Sequence, residues 1–444
     1  MHRSLQLNIN LIYAINFCYS FALITPVFVP MVQEHGLNMA QILQTQALYA
    51  LTIACFEVPS GYLADLWGRQ RAIAAGAAFH ALACVWLLFA DSFSDFLVFE
   101  FLAGLGLSML SGADLALLYD SETARASHSH GESDASRSLS RLIAVEAAAS
   151  GFAGLGAAFV LGVGDMRLLI VAQAVIGLVP VILSPLLIES PRGINDHGHG
   201  SNARAIMNLL VRGKPILLWI TFAIGAFGLL ALYAFWIYQH FWQSQGIAVS
   251  HFGYIWAAFA LTVSVAARYA GLLESKYGWR VLLLCTAILP IVGLLGMALI
   301  GGSIGVLFGF AIQASRGMSL TLFYDALNRR IPGEFRATVN SLVSLAVRSV
   351  FIASGPVLGW SLDKYGSANT MLVLAAVFAP LFALILWGLG TQLGIEHAKH
   401  AVSMAPRDSQ DDYAGDVDTP VDEGARLDQG ACLSEKDCVP VGSG

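Results

Sequence analysis

A small set of ionisable side chains stands inside long apolar runs of this sequence. Glu57, Glu100, Asp114 and Glu146 lie in the first half, and Arg268, Arg316 and Arg348 in the second. A charge at the centre of a bilayer costs roughly 2.5–3.5 kcal/mol on insertion scales, so such residues face a partner or a water-filled cavity. A carboxylate beside water can exchange a proton, and a guanidinium can hold an anionic group. Two readings stand open. Either an acidic first half faces a basic second half across an aqueous space, or each charge is tied within its own half as a structural salt bridge. At a rise of about 1.5 Å per residue, Arg316 and Arg348 fall near the middle of their runs, which suits cargo binding. Asp114, Glu57 and Arg268 fall nearer one face, Glu146 slightly deeper, and Glu100 towards the other face. Glu57 and Arg268 adjoin short charged loops, where they would also serve as parts of a latch.

The elements that carry these residues are apolar segments near 11–31, 41–64, 72–90, 95–118, 139–163, 168–189, 214–240, 250–273, 281–301, 304–327, 337–362 and 369–392. Each is long enough to cross a bilayer at about 20 residues per span. The chain is 57% hydrophobic and 12% charged, with a mean hydropathy of +0.67. Soluble domains carry about 25% charged residues, so the composition indicates a polytopic membrane protein. Met1–Asn10 is short and polar, and no cleavable signal peptide is expected. Cys18, Cys55, Cys84 and Cys285 lie singly in apolar runs, and Cys432 and Cys438 lack a zinc-like spacing. Polar residues 191–213 divide a six-span bundle over 1–190 from a second over 214–393. Residues 394–444 are acidic and Pro/Gly/Ser-containing, a composition expected to stay disordered. Lys and Arg gather in one alternate set of loops, with Arg167 and Lys364 alone in the other. This asymmetry places both termini in the cytoplasm.

Between the second and third segments runs Gly61-Tyr-Leu-Ala-Asp65-Leu-Trp-Gly68-Arg69-Gln-Arg71. It resembles the G-x-x-x-D-x-x-G-R-x-R loop of the major facilitator superfamily. Asp65 ends a helix whose dipole disfavours it, so it needs a cation or another helix's N-terminus as partner. Gly61 and Gly68 would let a neighbouring helix approach. The halves echo one another: Gly271 to Gly278 repeats the glycine spacing, Tyr324-Asp325 repeats Tyr119-Asp120, and Arg336 corresponds loosely to Arg137. Asp65, Asp120 and Asp325 are therefore expected at inner helix ends, as clasps between the halves. The resemblance implies that Asp65 docks near Arg336–Thr338 and that Arg69 reaches Asp120. It also implies a cavity lined by the first and seventh spans, hence roles for Asn16, Tyr19 and Tyr233, with Tyr13, Trp236, Tyr238 and Gln239 nearby. Asp114 and Glu146 become the best candidates for the proton site. His80 and His240 are expected to be packed or interfacial.

The resemblance covers about residues 10–392. Ser111 to Ser121 and Asn328 to Thr338 are similar to a bacterial branch of the superfamily. Drug/proton antiporters of this superfamily carry an arginine where Glu100 precedes Gly104-Leu-Gly106, and a Gly-Pro pair in span five, which has Gly151, Gly154 and Gly156 without proline. Gly355-Pro356 appears in span eleven instead. The expectation is an all-α membrane protein of twelve spans in two pseudo-symmetric six-helix bundles, in the bacterial inner membrane. It would move an organic small molecule by proton-coupled export, drug-like or amphiphilic. The alternative is proton-linked uptake of an anionic nutrient, with Arg316 and Arg348 as clamp. A transporter-derived sensor or scaffold acting through the acidic tail is a third reading. No Walker loop, nucleophile–base pair or metal cluster stands out, so neither an enzyme nor a cofactor is expected. The expected partners are the cargo, protons and lipid, without nucleic acid, for a monomer.

Overall fold

The structure, a computed structural model, describes residues 2–129, 135–189, 215–332 and 335–404. It divides into a unit of Met1–Gly394 and a second of Ile395–Gly444. Residues 395–404 of the second unit, inside the stretch expected to be disordered, are helical. The expectations for 191–213 and for the tail beyond 404 lie outside the described residues, as do Cys432 and Cys438.

Hydrocarbon offers no partner for a free peptide group, so each apolar run satisfies its own N–H and C=O groups as a helix. The first six spans are α1 (Leu5–Glu34), α2 (Met39–Trp67), α3 (Arg69–Phe89), α4 (Phe93–Arg125), α5 (Ser140–Val163) and α6 (Met166–Leu186). The next four are α7 (Pro215–Ser244), α8 (Val249–Tyr277), α9 (Trp279–Ile300) and α10 (Gly302–Arg330). The last helical stretch, Thr338–Ile395, is two spans, because Gly366 leaves helical geometry at φ 77°. These are α11 (336–365) and α12 (367–394), which completes twelve. Short loops are tied by side chains. Asn38 and Gln41 form a reciprocal capping box at the start of α2, and Ser92 and Asp95 form one at α4. Large apolar side chains such as Phe159, Ile182, Leu299 and Trp387 point outward, as a lipid-facing surface requires.

The halves match in backbone as well as in sequence. Gly68 joins α2 to α3 at φ 102°, ψ 145°, and Gly278 joins α8 to α9 at φ 83°, ψ 154°. A side chain with a Cβ would be strained in either turn. The architecture is the expected pair of six-helix halves in one all-α membrane fold.

Two spans differ from the uninterrupted runs expected. In α1 the helix opens after Ser20, passes through a short 3-10 turn, Thr25–Val27, and resumes at Phe28. Pro26 and Pro30 remove two backbone donors there. Two glutamines satisfy groups that the break leaves open: Leu23 N donates to Gln173 Oε1 (2.6 Å), Val29 N to Gln239 Oε1 (2.9 Å), and Gln239 Nε2 to Thr25 O (3.0 Å). In α4 the helix ends at Leu110 and restarts at Ala113, with Gly112 at φ 89° between them.

Several contacts between the halves gather at the face opposite Gly68 and Gly278. Asp363, at the end of α11, accepts from Met39 N (2.9 Å) and Ala40 N (2.8 Å) at the start of α2. Gly253 of α8 lies so close to α5 that a Cβ would come within 2.1 Å of Gly154 O. The Gln239 bonds to α1 belong to this same closure.

Candidate functional site

A cavity of about 410 Å³ lies between the halves. From the first half it is lined by Gln46 and Tyr49 of α2 and Leu107 of α4. From the second it is lined by Phe227, Phe235 and Trp236 of α7, Arg316, Ser319, Phe323 and Tyr324 of α10, and Arg348 and Phe351 of α11. Its walls are mostly aromatic and aliphatic. Arg316 sits mid-span with its side chain open to the cavity. Arg348 reaches across to the first half, with Nη1 3.7 Å from Glu57 Oε2. That is too long for a hydrogen bond, and Arg348 Nη1 is buried without one.

A second cavity of about 450 Å³ lies within the first half. Asn16 and Tyr19 of α1, Ser111 and Asp114 of α4, and Glu146 of α5 line it. The break in α4 builds this chamber. Asp114 falls in the first turn of the resumed helix, where its carboxylate accepts from Leu115 N (2.6 Å) and meets the positive end of the dipole. Asp114 is 8% exposed, and Glu146 lies within its electrostatic reach. Leu107 lines both cavities.

The remaining intramembrane candidates separate from these two groups. Glu100 is buried and hydrogen-bonds Gln46, itself a lining residue of the central cavity. Arg268 is exposed on α8 and lines neither cavity. Tyr233 is not in the central cavity either. It packs inside the second half against Phe351 and Phe378 and donates to Ser354 Oγ (2.5 Å). Gln239 serves the break in α1 rather than the cavity, and Tyr238 is buried among Trp242 and Phe259. Tyr13 donates to Ser138 O (3.2 Å). His80 packs against Tyr19, with ring centroids 4.1 Å apart.

At the Gly68 face, Arg69 Nη1 bonds both Asp120 and Ala116 O. The pair joins α3 to α4 within the first half. Asp325 pairs with Arg329 of its own helix at 2.7 Å, largely in solvent. Arg69 thus reaches Asp120 as the resemblance implied, but inside the first half, and in this conformer neither Asp120 nor Asp325 joins the two halves. The second half has Trp279 where Arg69 stands in the first, which leaves Asp325 to a local partner. Arg336 Nε turns back to Ile331 O (3.3 Å). Asp65 and Arg71 are exposed. Gly61 has open space around it, so close helix approach does not explain that glycine. At Gly68 the near neighbour is Glu189, whose carboxylate accepts from Arg69 N (2.9 Å) and Gln70 N (3.0 Å). It caps the orphan donors that open α3. Glu189 and Asp363 were not singled out from the sequence, although every helix start needs such an acceptor.

Twelve spans in two like halves about a shared central chamber define a transporter rather than an enzyme. Residues 11–356 match the Major Facilitator Superfamily, and the chain belongs to that family. The solved nucleoside transporter NupG is similar at a TM-score of 0.65 and 13% identity, over 88% of this chain and 99% of that one. A bacterial homologue of the human lysosomal transporter Spinster, inward-facing and unoccupied, gives 0.67 and 17%, over 88% and 98%. A D-xylose–proton symporter gives 0.62 and 12%, over 87% and 97%. At these identities the likeness concerns the fold. Among curated proteins, the chloramphenicol resistance protein CraA of Acinetobacter baumannii is 29% identical over 98 residues. That match spans 22% of this chain and 24% of the relative.

Proposed function

We propose that the protein is a proton-coupled exporter of an amphiphilic organic molecule, working by alternating access. The cavity shared by the halves carries this reading: its volume suits a small organic ligand, and its walls are apolar with few polar groups. Asp114 and Glu146 form the proton site in the neighbouring chamber, with Asn16 and Tyr19 beside them. The Arg69–Asp120 pair and the loop from Gly61 to Arg71 act at the inner gate. The lysine and arginine distribution supports cytoplasmic termini in an inner membrane, which makes the Gly68 face cytoplasmic and this conformer inward-facing. The partial likeness to a chloramphenicol resistance protein supports a drug-like cargo.

The test is flux in proteoliposomes under an imposed pH gradient, across a panel of labelled anionic, neutral and cationic amphiphiles. Gradient-driven efflux of at least one, lost in Asp114→Asn, is expected. Equal flux with and without the gradient removes the proton coupling. Accumulation in the direction of uptake reverses the assignment of direction.

A further inference from the structure

The two arginines of the central cavity have no settled partners. Among the described residues, Arg316 and Arg348 are the charged side chains that line it. No hydrogen bond or ion pair joins the Arg316 guanidinium to any described residue, although it lies mid-span in a chamber of aromatic rings. Among the described residues, the acid paired with Arg348 is Glu57, at 3.7 Å, and Arg348 Nη1 makes no hydrogen bond. A guanidinium stays charged at any physiological pH and offers five donors. Open to a chamber with mostly apolar walls, each guanidinium favours an acceptor of opposite charge there. The other polar groups of the lining, on Gln46, Tyr49, Trp236, Ser319, Tyr324 and Ser344, are neutral.

We infer that the cargo is an aromatic or otherwise apolar monoanion whose acidic group binds Arg316. In the same step it draws Arg348 away from Glu57, so the loose pair between α2 and α11 exchanges a protein carboxylate for one on the cargo. The apolar body lies against Phe227, Phe323 and Phe351. This inference rests on the reading of the cavity as the cargo site and adds the chemical class of what it takes.

The test is equilibrium binding to the full-length protein in detergent at neutral pH, with three matched probes: phenylbutyrate, phenylbutyramide and phenylbutylamine. The carboxylate is expected to bind at least about ten-fold more tightly than the amide, and the amine most weakly. Arg316→Ala abolishes that preference, Arg316→Lys keeps part of it, and Arg268→Ala, outside both cavities, leaves it unchanged. Equal or tighter binding of the amide or amine overturns the inference. So does absence of carboxylate binding up to roughly 10 mM. The wild-type comparison decides the matter even if an arginine variant fails to fold. Flux of neutral or cationic amphiphiles without anion preference would leave the exporter standing and the anion site refuted. Anion binding without flux of any amphiphile would do the reverse.

Discussion

Leu107 stands between two chambers of opposite character, one holding Asp114 and Glu146, the other Arg316 and Arg348. The segregation of sign was readable from the sequence because charge in a hydrocarbon run is expensive wherever it occurs. Which charges share a chamber was not readable, since the break at Gly112 that sets Asp114 at a helix start facing Glu146 leaves no mark in the hydropathy. Tyr233 shows the same gap, because an aromatic on a cavity-lining span can equally face its own bundle. Two predictions belong at this scale. Asp114→Asn lowers gradient-driven flux at least about ten-fold, while exchange without a gradient and cargo binding change less than about three-fold, the mark of lost coupling with the cavity intact. Glu189→Ala removes the cap on α3 and costs about 1–2 kcal/mol, read as a lower melting temperature in detergent. Glu189→Gln, which keeps an acceptor oxygen, costs less.

At the scale of elements, span lengths and positions follow directly from the bilayer, which accepts only helices of a certain length. The breaks in α1 and α4 do not announce themselves, because Ser-Gly and Pro within apolar runs leave hydropathy almost unchanged. Their partners, Gln173 and Gln239, are remote in sequence and become meaningful only when the backbone groups they satisfy are known. Gly112 has open space about it, so Gly112→Ala carries only the backbone cost of φ 89°, about 1–2 kcal/mol. We expect that variant to straighten α4, move Asp114 and slow gradient-driven flux, whereas Gly112→Asn retains more activity because asparagine tolerates a left-handed backbone. Parallel flux measurements on the two variants check this. Gly253→Val works differently, since its Cβ would fall 2.1 Å from Gly154 O. It blocks closure between α5 and α8 and biases the protein towards opening at the Asp363 face.

For the whole molecule, the doubling of six spans and the charged loop at Gly68 were enough to indicate the architecture. The state of the gates was not, because a clasp seen as matching charges in sequence is engaged in only one conformation. Here the halves meet at the Asp363 face, while Asp120 and Asp325 are occupied within their own halves. Alternating access requires closure at one face to trade with closure at the other. The direct measurement is the pair of distance distributions between spin labels in a variant without its native cysteines. One pair, Arg167→Cys with Ser303→Cys, spans the Asp363 face, and the other, Thr123→Cys with Lys276→Cys, spans the Gly68 face. Introducing Gly253→Val should lengthen the first distance and shorten the second in the same sample. Distances that stay fixed, or that lengthen together, would contradict two halves rocking about a shared chamber.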